Sequence, residues 1–186
     1  MDTRLNDRSW IQCHSGRPFW PLDPRPEDVD INDIAWALSH ICRFTGHTKT
    51  FYSVAEHSIR VSFACDPKDA VWAIVHDASE AYLCDLPRPL KILPAFEPYR
   101  RAEAAVMRAI CQRYDLSVEM PASVHVADMR LLATEARDLM GDPEWGRALG
   151  VEPLVGAAVE PMGEREAREW FLGRFHRMTG GRFDGI

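Results

Sequence analysis

Two adjacent ionisable residues, His76 and Asp77, stand inside an apolar run made by Ala70, Val71, Ile74, Val75, Ala78 and Ala81. An imidazole and a carboxylate buried there without partners would be costly. A divalent transition metal satisfies both at once, because each is a good ligand and the ion cancels the carboxylate's charge. Glu80 follows three residues after Asp77 and four after His76, a helical spacing that turns all three toward one pocket. A carboxylate in that place can orient a water or take its proton. Two ligands do not close a site. His57, in Ser53-Val-Ala-Glu-His-Ser58, and Asp128, behind Val124, Val126 and Ala127, are the other ligand types set in apolar surroundings. A set of two histidines and two aspartates accepts manganese, cobalt, iron, nickel or zinc.

The elements that must position these side chains read as helices. Pro18, Pro21, Pro24 and Pro26 crowd the stretch from Arg17 to Asp30, so residues 1–30 are expected to form a proline-rich arm. Ile31, Ile34, Ala35, Leu38 and Ile41 then repeat at helical spacing up to about Arg43-Phe44. Ser53 sits where an N-cap belongs, with Glu56 as its capping-box partner and Ala55, Ile59 and Phe63 as the buried stripe of a second helix. Pro67 opens a third, which should carry His76, Asp77 and Glu80 before Asp85-Leu-Pro-Arg-Pro-Leu-Lys91 breaks it as a loop. Further helical patterns span 98–114, 122–140 and 164–178. About six helices and no sustained strand pattern predict one compact all-α domain, with a motif-bearing core over 31–141 and a loop and helix over 142–186.

In this setting the order His57, His76-Asp77, Asp128 resembles the signature of the HD-domain metal-dependent phosphohydrolases, an all-helical superfamily. The blocks Tyr52-Ser-Val-Ala-Glu-His-Ser58, His76-Asp-Ala-Ser-Glu80 and Asp85-Leu-Pro-Arg-Pro-Leu-Lys91 are similar to those of the bacterial 5′-deoxynucleotidase branch and its phage deoxynucleoside triphosphohydrolase relatives. Arg43-Phe44 matches an Arg-aromatic pair that precedes the first ligand helix in those enzymes. The resemblance runs from Arg43 to Asp128. It implies an HD-domain helical bundle holding one divalent transition metal on His57, His76, Asp77 and Asp128, with water and a phosphate oxygen at its open positions. By the same resemblance Glu80 would handle the attacking water, Asp85 would assist, Arg43 and Lys91 would neutralise phosphate, and Phe44 would lie against the sugar or base. The implied reaction is release of phosphate from deoxynucleoside 5′-monophosphates. The alternatives are a triphosphohydrolase, which would draw on additional magnesium and on further cations such as Arg60 or Arg88, and a nucleotide sensor without turnover.

Composition narrows the partners. The 186 residues carry a net charge of −6, which repels duplex DNA but leaves room for one small nucleotide beside a local cation. Five cysteines, odd in number and without a Cys-x-x-Cys pair, read as reduced thiols. No apolar run approaches the ~20 residues of a membrane span, and Met1-Asp2-Thr3-Arg4 opens no secretion signal; the expected location is the cytoplasm. A homodimer or larger assembly is implied by the resemblance and by the tryptophans. Trp36, Trp72, Trp145 and Trp170 are scattered and read as core or interface anchors. His14, His40, His47 and His176 read as structural, and His125, one turn before Asp128, as a decoy. Glu135, Arg137 and Asp138 are expected to form structural ion pairs on a packing helix.

Overall fold

Asp30 accepts a hydrogen bond from the Asn32 amide at 2.8 Å, and this cap starts the first helix, α1 (Ile31–His40). Burial of Ile34, Ala35 and Leu38 on one face then holds it against the remainder of the chain, each large apolar side chain contributing about 1.5–3 kcal/mol. The computed structural model describes Arg4 and residues 9–183. The other ends of the expected arm and tail, residues 1–3, 5–8 and 184–186, lie outside the described residues.

The chain is mostly helical, as its periodicity requires. After α1 come α2 (Val54–Ala64), α3 (Ala70–Ile74), α4 (Glu80–Leu83), α5 (Arg88–Lys91), α6 (Glu97–Arg113), α7 (Ala122–Leu139), α8 (Pro143–Arg147) and α9 (Glu164–Thr179). Helix α2 is central: it packs on α1, α3, α7 and α9. Ile34, Leu38, Ile59, Ile74, Phe171 and Phe175 form the main core among these helices. The five long helices α1, α2, α6, α7 and α9 lie where the apolar spacing puts them, and α9 ends in a Gly180 with φ of 61°, the left-handed cap that favours glycine.

Nine α-helices among the described residues replace the expected six, for three local reasons. The apolar helix expected after Pro67 is broken: a 3₁₀ turn at Pro67–Asp69 leads into α3, and turns over residues 75–79 separate it from α4. Through those turns the amides of Val75, His76, Ala78 and Glu80 reach back three residues rather than four, the tighter 3₁₀ winding in which side chains i and i+3 eclipse. Residues 85–91 are not all loop, since Pro89 fits the first turn of α5. Helix α8, absent from the expected pattern, starts where Asp142 caps the Glu144 amide.

The proline-rich arm carries a hairpin, β1 (Ile11–Gln12) against β2 (Pro18–Phe19), antiparallel with Ile11 opposite Phe19. It docks firmly. Phe19 is fully buried and stacks on Tyr82 at 3.7 Å, while Asp33 accepts from the Ser15 amide and hydroxyl at 2.7 Å each.

Candidate metal centre

Ser53 accepts the Glu56 amide at 3.1 Å and caps α2. The reciprocal half of the capping box is absent, because the Glu56 carboxylate turns to Arg60 and to the Met162 amide at 2.8 Å. One turn into α2, fully buried His57 points toward α7 and the turns that follow α3. Its Nδ1 lies 2.6 Å from Glu135 Oε1. Glu135, fully buried on α7, also accepts from the Tyr52 hydroxyl at 2.6 Å and from Arg43 Nη2 at 3.2 Å. These partners hold the Glu135 carboxyl below its usual range despite burial, so it accepts, and His57 Nδ1 donates. His76 Nδ1 likewise donates to the Ala73 carbonyl at 2.7 Å.

Both imidazoles therefore present Nε2 to the same point, 3.2 Å apart. With both Nδ1 atoms protonated, two neutral rings would oppose two bare lone pairs, an arrangement that calls for a cation between them. Two nitrogens bound side by side to one ion at about 2.1 Å lie roughly 3 Å apart. Asp128 Oδ1 is 3.1 Å from His57 Nε2 and 4.0 Å from His76 Nε2. His57, His76 and Asp128 each offer a ligand atom within 4.8 Å of the other two. Asp77 stands at the edge of this group, with Oδ2 3.2 Å from His76 Nε2 and 3.7 Å from both His57 Nε2 and Arg43 Nη1. The donor set suits a borderline divalent ion, and the carboxylate behind His57 is the second partner that metal-bound histidines usually have.

Charge balance makes the same demand. Burial and Arg43 push His57 down, yet Glu135 and Asp128 outweigh them and raise it to about 9. Without an ion, a proton on Nε2 supplies the positive charge. Asp77 is held well below the usual carboxylate range: burial opposes this, but His76, His57 and Arg43 prevail.

Glu80 shares the face of Asp77, and its Oε2 is buried without a hydrogen-bond partner. Burial first, then the negative charges of Asp77 and Asp85, hold it well above the carboxylate range. Cys84, at φ 63° and ψ 161°, turns the chain after α4 and brings Asp85 into range of Glu80. Lys91 pairs with Glu103 on α6 while its charge still reaches Glu80. Arg43 is wedged between Asp77 and Glu135, and Phe44 follows it in left-handed backbone. Eight of the nine residues singled out in the sequence are thus within the cluster or joined to it through neighbouring charges, and Phe44 reaches it only through Arg43.

Glu135 and Tyr52 were missed as supports of His57. Glu135 had a legible signal, since it lies two turns after Asp128 on the same face of α7. Tyr52 had none. Arg137 does pair with Asp138, at 2.6 Å. His125 is exposed, and His14 and His40 stack on Trp36. Trp145 and Trp170 are 45% and 46% exposed rather than core. No helix among the described residues is long and apolar enough to cross a membrane.

No family model matches the chain. An uncharacterised Escherichia coli K12 protein, YfdR, is 38% identical over 92% of the chain and 96% of its own length. An uncharacterised protein of Rhodobacter capsulatus is 30% identical over 91% of the chain and 95% of its own length.

Proposed function

The chain belongs to the family of YfdR, and we propose that it is an HD-type metal-dependent phosphohydrolase that releases phosphate from deoxynucleoside 5′-monophosphates. The observation that carries this reading is the pair of Nε2 atoms 3.2 Å apart, each ring locked through Nδ1 and flanked by Asp77 and Asp128. His57, His76, Asp77 and Asp128 would hold a divalent ion, which when bound would lower the pKa of a water and polarise a phosphoryl oxygen.

The surrounding residues supply the remaining parts. Glu80, buried beside Asp77 with an oxygen that has no hydrogen-bond partner, is placed to orient the attacking water and, as a carboxylate, to take its proton. Asp85 tunes Glu80 through its charge. Arg43, fixed by two carboxylates, presents a preorganised guanidinium to phosphate, and Lys91 adds a second cation. Glu135 keeps His57 in the required tautomer. Phe44 lies toward the sugar or base.

The test is phosphate and polyphosphate release from deoxynucleoside mono- and triphosphates and from ribonucleotides, after stripping and reloading with manganese, cobalt or zinc. Orthophosphate from deoxynucleoside monophosphates is the expected result. Triphosphate release would replace this reading with the triphosphohydrolase, and silence with every metal would overturn both in favour of a sensor.

A further inference from the structure

Helix α8 lies outside the segment that carries the resemblance, yet it is fastened directly to the helix that bears Asp128 and Glu135. A Cβ at Gly146 would stand 2.9 Å from Ala136 Cβ and 3.7 Å from the Ala133 carbonyl. Only glycine permits so close an approach, and α8 therefore sits on α7 with little freedom. The neighbouring residue, Trp145, is 45% exposed and meets Phe44 edge to face, with centroids 5.9 Å apart and planes at 81°.

Phe44 is held as firmly. It and Thr45 have φ of 52° and 55°, a conformation that bulky residues rarely adopt and that clusters at functional sites. The loop enforcing it is tied down at both ends: the Arg43 amide donates to the Tyr52 carbonyl at 2.9 Å, and the Lys49 amide to the Leu139 carbonyl of α7 at 2.9 Å. The Arg43 guanidinium lies 5.4 Å from the Phe44 ring centroid and 3.7 Å from Asp77. One side chain thus links the ligand cluster to an L-shaped aromatic corner, partly open to solvent.

Resting on the phosphohydrolase reading, we propose that Phe44 and Trp145 form the subsite for a flat heteroaromatic ring carried by the phosphate ester, with Trp145 the specificity-determining residue. A ring stacked on one wall offers its edge to the other, both favourable aromatic geometries. Arg43 sets the phosphate end of the ligand, so a nucleoside phosphate fits and a sugar phosphate without a base gains nothing from the corner.

The experiment compares thymidine 5′-monophosphate with deoxyribose 5-phosphate in the metal-loaded wild type and in Trp145→Ala, Trp145→Phe and Trp170→Ala. Stacking of one base predicts that Trp145→Ala lowers the nucleotide to sugar phosphate ratio of kcat/KM about ten- to a hundredfold, through KM rather than kcat. Trp145→Phe should restore most of that ratio, and Trp170→Ala, an exposed tryptophan elsewhere, should leave it unaltered. An unaltered ratio in Trp145→Ala overturns the proposal. If the wild type cleaves neither ester, thymidine monophosphate is titrated against tryptophan fluorescence. A saturable change lost in Trp145→Phe sustains the corner while the hydrolase reading fails, and no saturable change overturns the corner as well.

Discussion

At the residue scale the account rests on protons. His57 is raised from 6.5 to about 9, so its contribution to the stability of metal-free protein is complete below about pH 6.5 and is lost as pH rises through about 9. A metal ion displaces the same proton. Metal affinity should therefore rise about tenfold per pH unit up to about pH 9, which a chelator-competition titration across that window checks; a pH-independent affinity would contradict the assignment. Glu80→Gln should keep metal and ligand binding but lower kcat about a hundred- to ten-thousandfold, read from steady-state kinetics beside a metal assay. Full activity in that variant would remove Glu80 from the reaction.

At the element scale, helix α2 aims His57 and so its cap matters. Ser53→Ala removes the acceptor of the Glu56 amide and should cost about 1 kcal/mol, or roughly 2–4 °C in a thermal melt of a chain this size. An unchanged melting temperature would show that packing alone starts the helix. This cap, and the five long helices, were legible because apolar residues recur every three or four positions around strong start and stop signals. The interruption at His76-Asp77 was not. Ala70 to Ala81 reads as one continuous stripe, and periodicity does not register that the amides of His76 and Glu80 bond three residues back. That His57, His76, Asp77 and Asp128 would stand together was legible from residue type and order. Tyr52 and Trp145 were hidden because each joins the site through a contact distant in sequence, 83 residues to Glu135 for Tyr52 and the strained Phe44 for Trp145.

At the scale of the whole molecule, α2, α3 and α7 pack through Val61, Trp72, Ala73, Val124, Ala127 and Leu131, and α2, α7 and the turns after α3 also meet at His57, His76, Asp77 and Asp128. An ion that binds only the folded arrangement should hold these helices together. At a free concentration a hundred times its dissociation constant it adds about 2.7 kcal/mol, or roughly 5–11 °C in melting temperature. Comparing stripped and reloaded protein in a thermal melt reads this directly, and no shift at saturating metal would deny the helices a common ion. The net charge of −6 places no obstacle before this, since the cluster itself supplies the acceptors.

The central claim is that the two locked imidazoles share one metal ion. Titration of stripped protein with cobalt(II), followed by visible absorption, tests it most directly. The account predicts a saturable signal at one equivalent per chain. It should be abolished in His76→Ala and Asp128→Ala, and weakened about ten- to a hundredfold in Glu135→Gln, which loses the carboxylate behind His57. Absence of stoichiometric binding, or binding indifferent to all three substitutions, would contradict it.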